Sequence, residues 1–222
     1  MKPLISIIIP CFEQAQYLAQ AIDSVLAQTL KPHEIIVIND GSQDETRYIA
    51  MQYPEIKYIE QVNKGLASAR NTGIMNMTGD WFYPLDSDDM MLESCLERVS
   101  QVIEETDADI IAPSFKCFGT QEGTVQLMPN PTLEDFKTAN RIPYFSAIRR
   151  SALLEVGGYS PRMTFGYEDL HLWINLLSVG KKLVTIPDIL VLYRTKENSM
   201  ITDSLKHHSE LMSQIYKDFP SW

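Results

Sequence analysis

Asp80-Trp81-Phe82-Tyr83-Pro84-Leu85-Asp86-Ser87-Asp88-Asp89 runs from an apolar strand straight into carboxylates, and the rest of the chain is organised around it. Trp81, Phe82, Tyr83 and Leu85 suit a buried strand of an α/β sheet, and the apolar run stops where Asp86, Asp88 and Asp89 begin. Three carboxylates in four residues repel one another, a cost that a cation among them would offset. Hard divalent ions such as Mg²⁺ or Mn²⁺ take oxygen ligands and keep places open for substrate phosphates. The plainer alternative is an acidic turn capping the next helix. Placement at a strand's carboxyl end, where open α/β sheets bind ligands, favours the cation.

Working outward, Leu4 to Pro10 is a β-branched run ended by proline, a fully buried first strand. Leu18, Ala21, Ile22, Val25 and Leu26 recur at helical steps, predicting a helix from about Ala15 to Gln28. Glu34 to Ile38 is a second strand delivering Asn39-Asp40-Gly41-Ser42, after which Asp44 caps another helix. A short third strand, Ile56 to Ile59, leads through Asn63-Lys64-Gly65 into a helix carrying Leu66, Ala69, Arg70, Gly73 and Ile74. Four strand-then-helix units within about ninety residues imply a mostly parallel, twisted sheet with helices on both faces. Beyond Ala108–Ala112, another strand, residues 113–167 read as an insertion over the sheet with a hairpin between Gly119 and Gly123. Glu168-Asp169 open a helix, Lys182–Ile186 and Ile189–Tyr193 read as two short strands, and a last helix from Ser204 carries Leu205, His208, Met212, Ile215 and Phe219 on one face. One domain over residues 1–222 is expected, with a ligand-binding half over 1–112, a second half over 113–200 and a C-terminal helix over 201–222.

Composition narrows the function. A net charge of −10 argues against a nucleic-acid partner, because phosphate backbones want a basic face. Cys11, Cys95 and Cys117 are odd in number and widely spaced, which suggests neither a disulfide framework nor a zinc site and fits a reducing cytoplasm. The longest apolar run near the start is far below the roughly 20 residues of a membrane span. Neither a dinucleotide fingerprint nor a phosphate loop occurs, and Asp86-Ser87-Asp88-Asp89 lacks the glycine and distal glutamate of a calcium loop. What remains is a metal and phosphate site where the ends of the first, second and fourth strands converge.

Ile7-Ile8-Ile9-Pro10, Ser24 to Thr29, Glu34 to Ser42, Asn63 to Gly73 and Leu85 to Asp89 together resemble family 2 glycosyltransferases of the GT-A fold. Gly157-Gly158-Tyr159, Glu168-Asp169 and Tyr193-Arg194 extend the likeness to about residue 199. The resemblance implies an inverting transfer of a hexosyl or N-acetylhexosaminyl group from a nucleotide-sugar, usually a UDP-sugar, with Mn²⁺ or Mg²⁺ as cofactor. It implies that Pro10, Phe12, Glu13 and Asp40 hold the base, that Asp86 lies near the ribose, and that Lys64 and Arg70 line the nucleotide side. Asp88 would ligate the metal bridging the diphosphate, with Arg194 or Lys196 helping to stabilise the leaving group.

An attacking hydroxyl must lose its proton, and a positioned carboxylate can take it. Glu168 and Asp169 are the candidates, and in the resembling family the aspartate is usually the base. The acceptor would be a glycan, a lipid-linked glycan or a small molecule, as in polysaccharide and cell-envelope biosynthesis. Peripheral membrane association through that acceptor, at the inner face of the membrane, and a homo-oligomer stay open. Asn39 stands where the family commonly has aspartate, and Cys11-Phe12-Glu13 replaces a typical Thr-Tyr-Asn. Two rival expectations are an aspartate-dependent phosphatase using Asp86 and Asp88, and a catalytically silent carbohydrate-binding or scaffolding module of the same fold.

Overall fold

Every residue from Ile5 to Cys11 is buried, as a strand covered by helices on both faces requires. This strand, β1, lies inside the sheet of the computed structural model, which describes residues 2–197 and 204–222. β1 (Ile5–Cys11), β2 (Glu34–Asn39), β3 (Ile56–Glu60) and β4 (Trp81–Pro84) are parallel in the order β3-β2-β1-β4. Helices α1 (Ala15–Leu26), α2 (Thr46–Ala50) and α3 (Leu66–Asn76) connect them. Asp44 does more than open α2: it accepts the Thr46 N–H at 3.0 Å and also the Ala15 N–H at 2.8 Å, tying the starts of two helices to one carboxylate.

The second half departs from the expected insertion. β6 (Ile110–Gly119) runs on to Gly119, well into the segment read as lying over the sheet, with β7 (Gly123–Val125) as its hairpin partner. β8 (Ala147–Arg149) then inserts between β4 and β6, antiparallel to both. A three-residue strand carries too little periodicity to stand out in sequence. The two strands expected over 182–193 form one, β9 (Leu183–Thr195), parallel to β6, with register shifts near Ser114 that absorb Pro187. β5 (Met90–Met91) closes that edge against β9. α4 (Cys95–Glu105), α5 (Arg150–Val156), α6 (Glu168–Ser178) and α7 (His208–Asp218) complete the fold. The expected division at 112/113 falls inside β6, and positions 198–203, with the end of the family likeness and the 200/201 boundary, lie outside the described residues.

Two apolar layers sandwich the sheet. One gathers α1 and α4 against β1 and β4, with Ile9, Val25, Tyr83 and Val99 buried. The other gathers α3, α5, α6 and α7, where Leu211 and Ile215 fix the last helix while Leu205 stays exposed. α3 lies close to the sheet because it has little side chain on that face: a Cβ at Gly73 would sit 2.3 Å from Ile8 Cγ2. Alanine is the better helix former by about 1 kcal/mol, but overpacking a filled core costs about 1–3 kcal/mol. Gly73→Ala should therefore lower the thermal midpoint by several degrees. A raised midpoint would show that the helix can shift off Ile8 at no cost.

Candidate functional site

The carboxyl ends of β1, β2 and β4 open on a cleft of about 580 Å³. Pro10, Phe12, Asp40, Asp86, Asp88, Arg194 and Lys196 line it. Phe12 is 46% exposed, so it is not a core residue and offers its ring to the cleft. Glu13 and Lys64 do not line it. Glu13 takes a left-handed conformation (φ 53°), and its carboxylate accepts the Gln43 N–H at 2.6 Å. Lys64 contributes its backbone N–H, which Asp40 accepts at 3.0 Å. Asn39, the departure from the family's aspartate, turns away from the cleft: its amide donates to Tyr58 Oη at 2.8 Å and accepts the Ser42 N–H at 2.9 Å.

A second cleft, about 620 Å³, adjoins the first, and Leu66, Asp86 and Tyr193 line both. Its other walls come from the loop 137–140, from Tyr144, from Glu168 and Asp169 at the start of α6, and from α7. Arg70 lies at the junction, fully buried, and lines the second cleft but not the first. Its Nη1 donates to Glu168 Oε1 at 2.6 Å and its Nη2 to Asp86 Oδ1 at 2.8 Å, while its charge stacks over the rings of Tyr144 and Tyr159. Asn71, next along α3, clamps the loop after α5 by donating to the Tyr159 carbonyl at 2.8 Å and accepting the Tyr159 N–H at 2.9 Å.

The three clustered carboxylates have separate partners. Asp86 pairs with Arg70, Asp88 pairs with the Lys196 ammonium, and Asp89 accepts from Tyr144 Oη and from the Arg194 N–H at 2.6 Å. Arg194 is a clamp on this loop: its Nε donates to the Asp88 carbonyl at 2.8 Å, and its guanidinium is held between Tyr17 and Phe118. Burial pushes Asp89 well above the usual carboxylate range and Asp86 up to about 6, the latter in spite of Arg70. Among the described residues, no group of three or more His, Cys, Asp or Glu converges as a metal cage. A phosphate-bound divalent ion needs only one or two carboxylates. Asp88, 14% exposed and already facing an ammonium, fits that lesser requirement.

The two acids that open α6 differ. Both line the second cleft, but Glu168 is buried against Arg70 whereas Asp169 is partly exposed. Asp169 Oδ1 accepts the Leu170 N–H at 2.7 Å and Oδ2 accepts from Asn140 Nδ2 at 2.8 Å. Burial, then the Glu168 charge, pushes Asp169 up to about 7. Tyr167, just before the pair, is held at φ 60°, and its hydroxyl meets His208 Nδ1 of α7 at 2.8 Å. Asn140 escaped sequence reasoning because it stands in a loop with no periodic or motif signal. Of the aromatics before Glu168, Tyr144 and Tyr167 line this cleft, Phe165 lines the first, and Phe145 and Tyr159 are core.

The family model "Glycosyl transferase family 2" matches residues 6–170. The chain belongs to that family. It is 29% identical to glycosyltransferase GlyG of Streptococcus pneumoniae over an alignment of 225 positions, covering 90% of the chain and 74% of GlyG. To glycosyltransferase GlyA of the same organism it is 40% identical over 123 residues, which is 54% of the chain but only 18% of GlyA. Among solved structures, Staphylococcus aureus TarS 1–349 in complex with UDP-GlcNAc superimposes with a TM-score of 0.80 at 20% identity, over 97% of the chain and 65% of TarS 1–349. The architecture is therefore GT-A. No helix among the described residues is long and apolar enough to cross a membrane.

The raised Asp169 has a consequence for stability. The native carboxyl holds its proton more tightly than the unfolded chain does, so stability falls as pH rises from about 4 towards 7 and the loss is complete above that. Asp169→Asn removes this penalty. Its thermal midpoint should exceed the parent's at pH 8, and the gap should close by about pH 4. A variant less stable than the parent at pH 8 would mean that Asp169 is not held against its ionisation.

Proposed function

We propose that the chain transfers a sugar from a UDP-sugar to an acceptor hydroxyl with inversion, aided by a divalent cation. The observation that carries this is the junction of the two clefts at Asp86, with Asp88 on one side and Asp169 on the other. Nucleotide and diphosphate lie in the first cleft: Phe12 stacks on the base, Asp40 accepts from its edge, and Asp86 lies near the ribose. The relative in complex with UDP-GlcNAc supports a nucleotide-sugar of that kind. Asp88 would hold Mn²⁺ or Mg²⁺ once Lys196 gives way. When bound, that ion supplies charge stabilisation to the departing diphosphate, and Arg194 and Lys196 add positive charge nearby.

The acceptor, a glycan, a lipid-linked glycan or a small molecule, occupies the second cleft. Asp169 takes the hydroxyl proton as the oxygen attacks the anomeric carbon from the face opposite the diphosphate. The new C–O bond forms, the bond to the diphosphate breaks, and UDP leaves with its electron pair. A carboxyl at about 7 suits proton transfer near neutral pH. Glu168 is the poorer base, because Arg70 already holds its carboxylate. The phosphatase alternative loses ground for a parallel reason: Asp86 is tied to Arg70 and poorly placed as a nucleophile.

Ligand-dependent stability and two variants test this. UDP with Mn²⁺ should raise the thermal midpoint, by about 2.7 kcal/mol of added stability at 100 times its dissociation constant; no response to any nucleotide at millimolar concentration would sink the donor site. Asp88→Ala should weaken metal-dependent UDP binding and UDP release from a UDP-sugar together. Asp169→Asn should leave calorimetric UDP and Mn²⁺ affinity intact while transfer to a panel of sugar acceptors falls by roughly 10² to 10⁴. Near-normal transfer in Asp169→Asn, with loss in Glu168→Gln, would reassign the base.

A further inference from the structure

Asp40 is only 3% exposed, so the edge it shows the first cleft is a narrow one. Its Oδ1 accepts from Gln61 Nε2 at 2.7 Å and from the Lys64 N–H at 3.0 Å, and its Oδ2 accepts from the Gly65 N–H at 2.9 Å. A carboxylate has about four lone-pair sites. Three are filled, which leaves one acceptor position, on Oδ2, for a ligand. The backbone around it is closely set: Gly41 has φ 82°, and a Cβ there would meet the Asn63 nitrogen at 2.8 Å. The two turns at the cleft's edge thus hold Asp40 in one orientation.

Gln61 is the side chain that fixes which lone pair stays open. Asp40 can only accept, so the Gln61 NH₂ group must face it. That turns Gln61 Oε1 towards Thr72, whose hydroxyl donates to it at 2.5 Å. Were the amide reversed, an oxygen would face the carboxylate and the contact would become repulsive. Neither Gln61 nor Thr72 lines either cleft, so both act through Asp40.

We infer that Gln61, oriented by Thr72, is a specificity-determining positioning residue that makes Asp40 select a pyrimidine with a ring N–H on its pairing edge. Uracil presents that N–H at N3. Cytosine presents a lone pair at the same atom, which meets the remaining Asp40 lone pair in repulsion. With Gln61 Nε2 gone, Oδ1 regains a free lone pair beside the open one on Oδ2, and this second acceptor can take the exocyclic amine of cytosine instead. Discrimination between the two bases then falls. The inference rests on the first cleft being the nucleotide site.

The test is calorimetric titration of the full chain with UDP and with CDP at fixed Mn²⁺, beside Gln61→Met, Gln61→Glu and Thr72→Val. The parent should prefer UDP by roughly tenfold or more, the range that one satisfied or violated polar contact supplies. Both Gln61 variants should bring the two affinities within about threefold, and Thr72→Val should fall between. A ratio is read because general loosening of the fold weakens both nucleotides alike. A preference for UDP that survives in both Gln61 variants overturns the inference, as does a parent that binds UDP and CDP equally. Binding of neither nucleotide by the parent removes the donor-site reading itself, a separate failure.

Discussion

The Arg70 guanidinium is the constraint on which the rest of the site depends. It is fully buried, and its planar fork reaches Asp86 at the end of β4 and Glu168 at the start of α6, two segments 82 residues apart in the chain. Burying a charge is costly, and a buried pair returns that cost only with good geometry and several hydrogen bonds. Arginine suits the task because its five donors are preorganised, whereas lysine would serve one carboxylate as a point charge. The aromatic faces of Tyr144 and Tyr159 complete the enclosure. Removing the guanidinium would leave two carboxylates facing each other without a counter-charge, and just beyond it on α3 Asn71 and Gly73 hold the helix against loop and sheet.

The acidic cluster follows from the same electrostatics. Three aspartates within four residues would oppose folding if they shared one environment. The fold instead sends each to a separate partner: a buried guanidinium, a Lys196 ammonium and a tyrosine hydroxyl with a backbone N–H. Of the three, only Asp88 is paired with a lysine beside an open cleft, so its partner is the one that can be exchanged without leaving a fully buried charge unpaired. Asp169 illustrates the opposite arrangement. Among the described residues it has two hydrogen bonds but no ion pair of its own, and burial beside Glu168 pushes its carboxyl up towards neutral pH, an arrangement that lowers stability and suits proton transfer.

Much of the first ninety residues could be read directly from the chain. The β-branched runs of β1 and β2, the helical spacing in α1 and the abrupt change from Leu85 to Asp86 are local signals, because burial on both faces, helix amphipathicity and turn chemistry leave their marks within a few consecutive residues. Ordered motifs over the same stretch were enough to indicate the family. Phe12, Asp40, Asp86 and Asp88 reach one cleft because parallel strands deliver their carboxyl ends to one edge.

Tertiary structure decided what those signals could not carry. β8 is three residues long and owes its place between β4 and β6 to pairing with strands far away in sequence. Arg70 has the sequence context of an ordinary helical cation, and only Asp86, Tyr144, Tyr159 and Glu168, brought in from elsewhere in the chain, enclose it and pair its charge. Asn140 and Gln61 lack any motif spacing; each matters through one hydrogen bond to an aspartate 29 or 21 residues away. The sequence by itself determined the strands and helices of the first ninety residues and most of the acids, since these depend on neighbours along the chain. Which acids are held by a counter-charge was set by contacts between distant segments that no local pattern encodes.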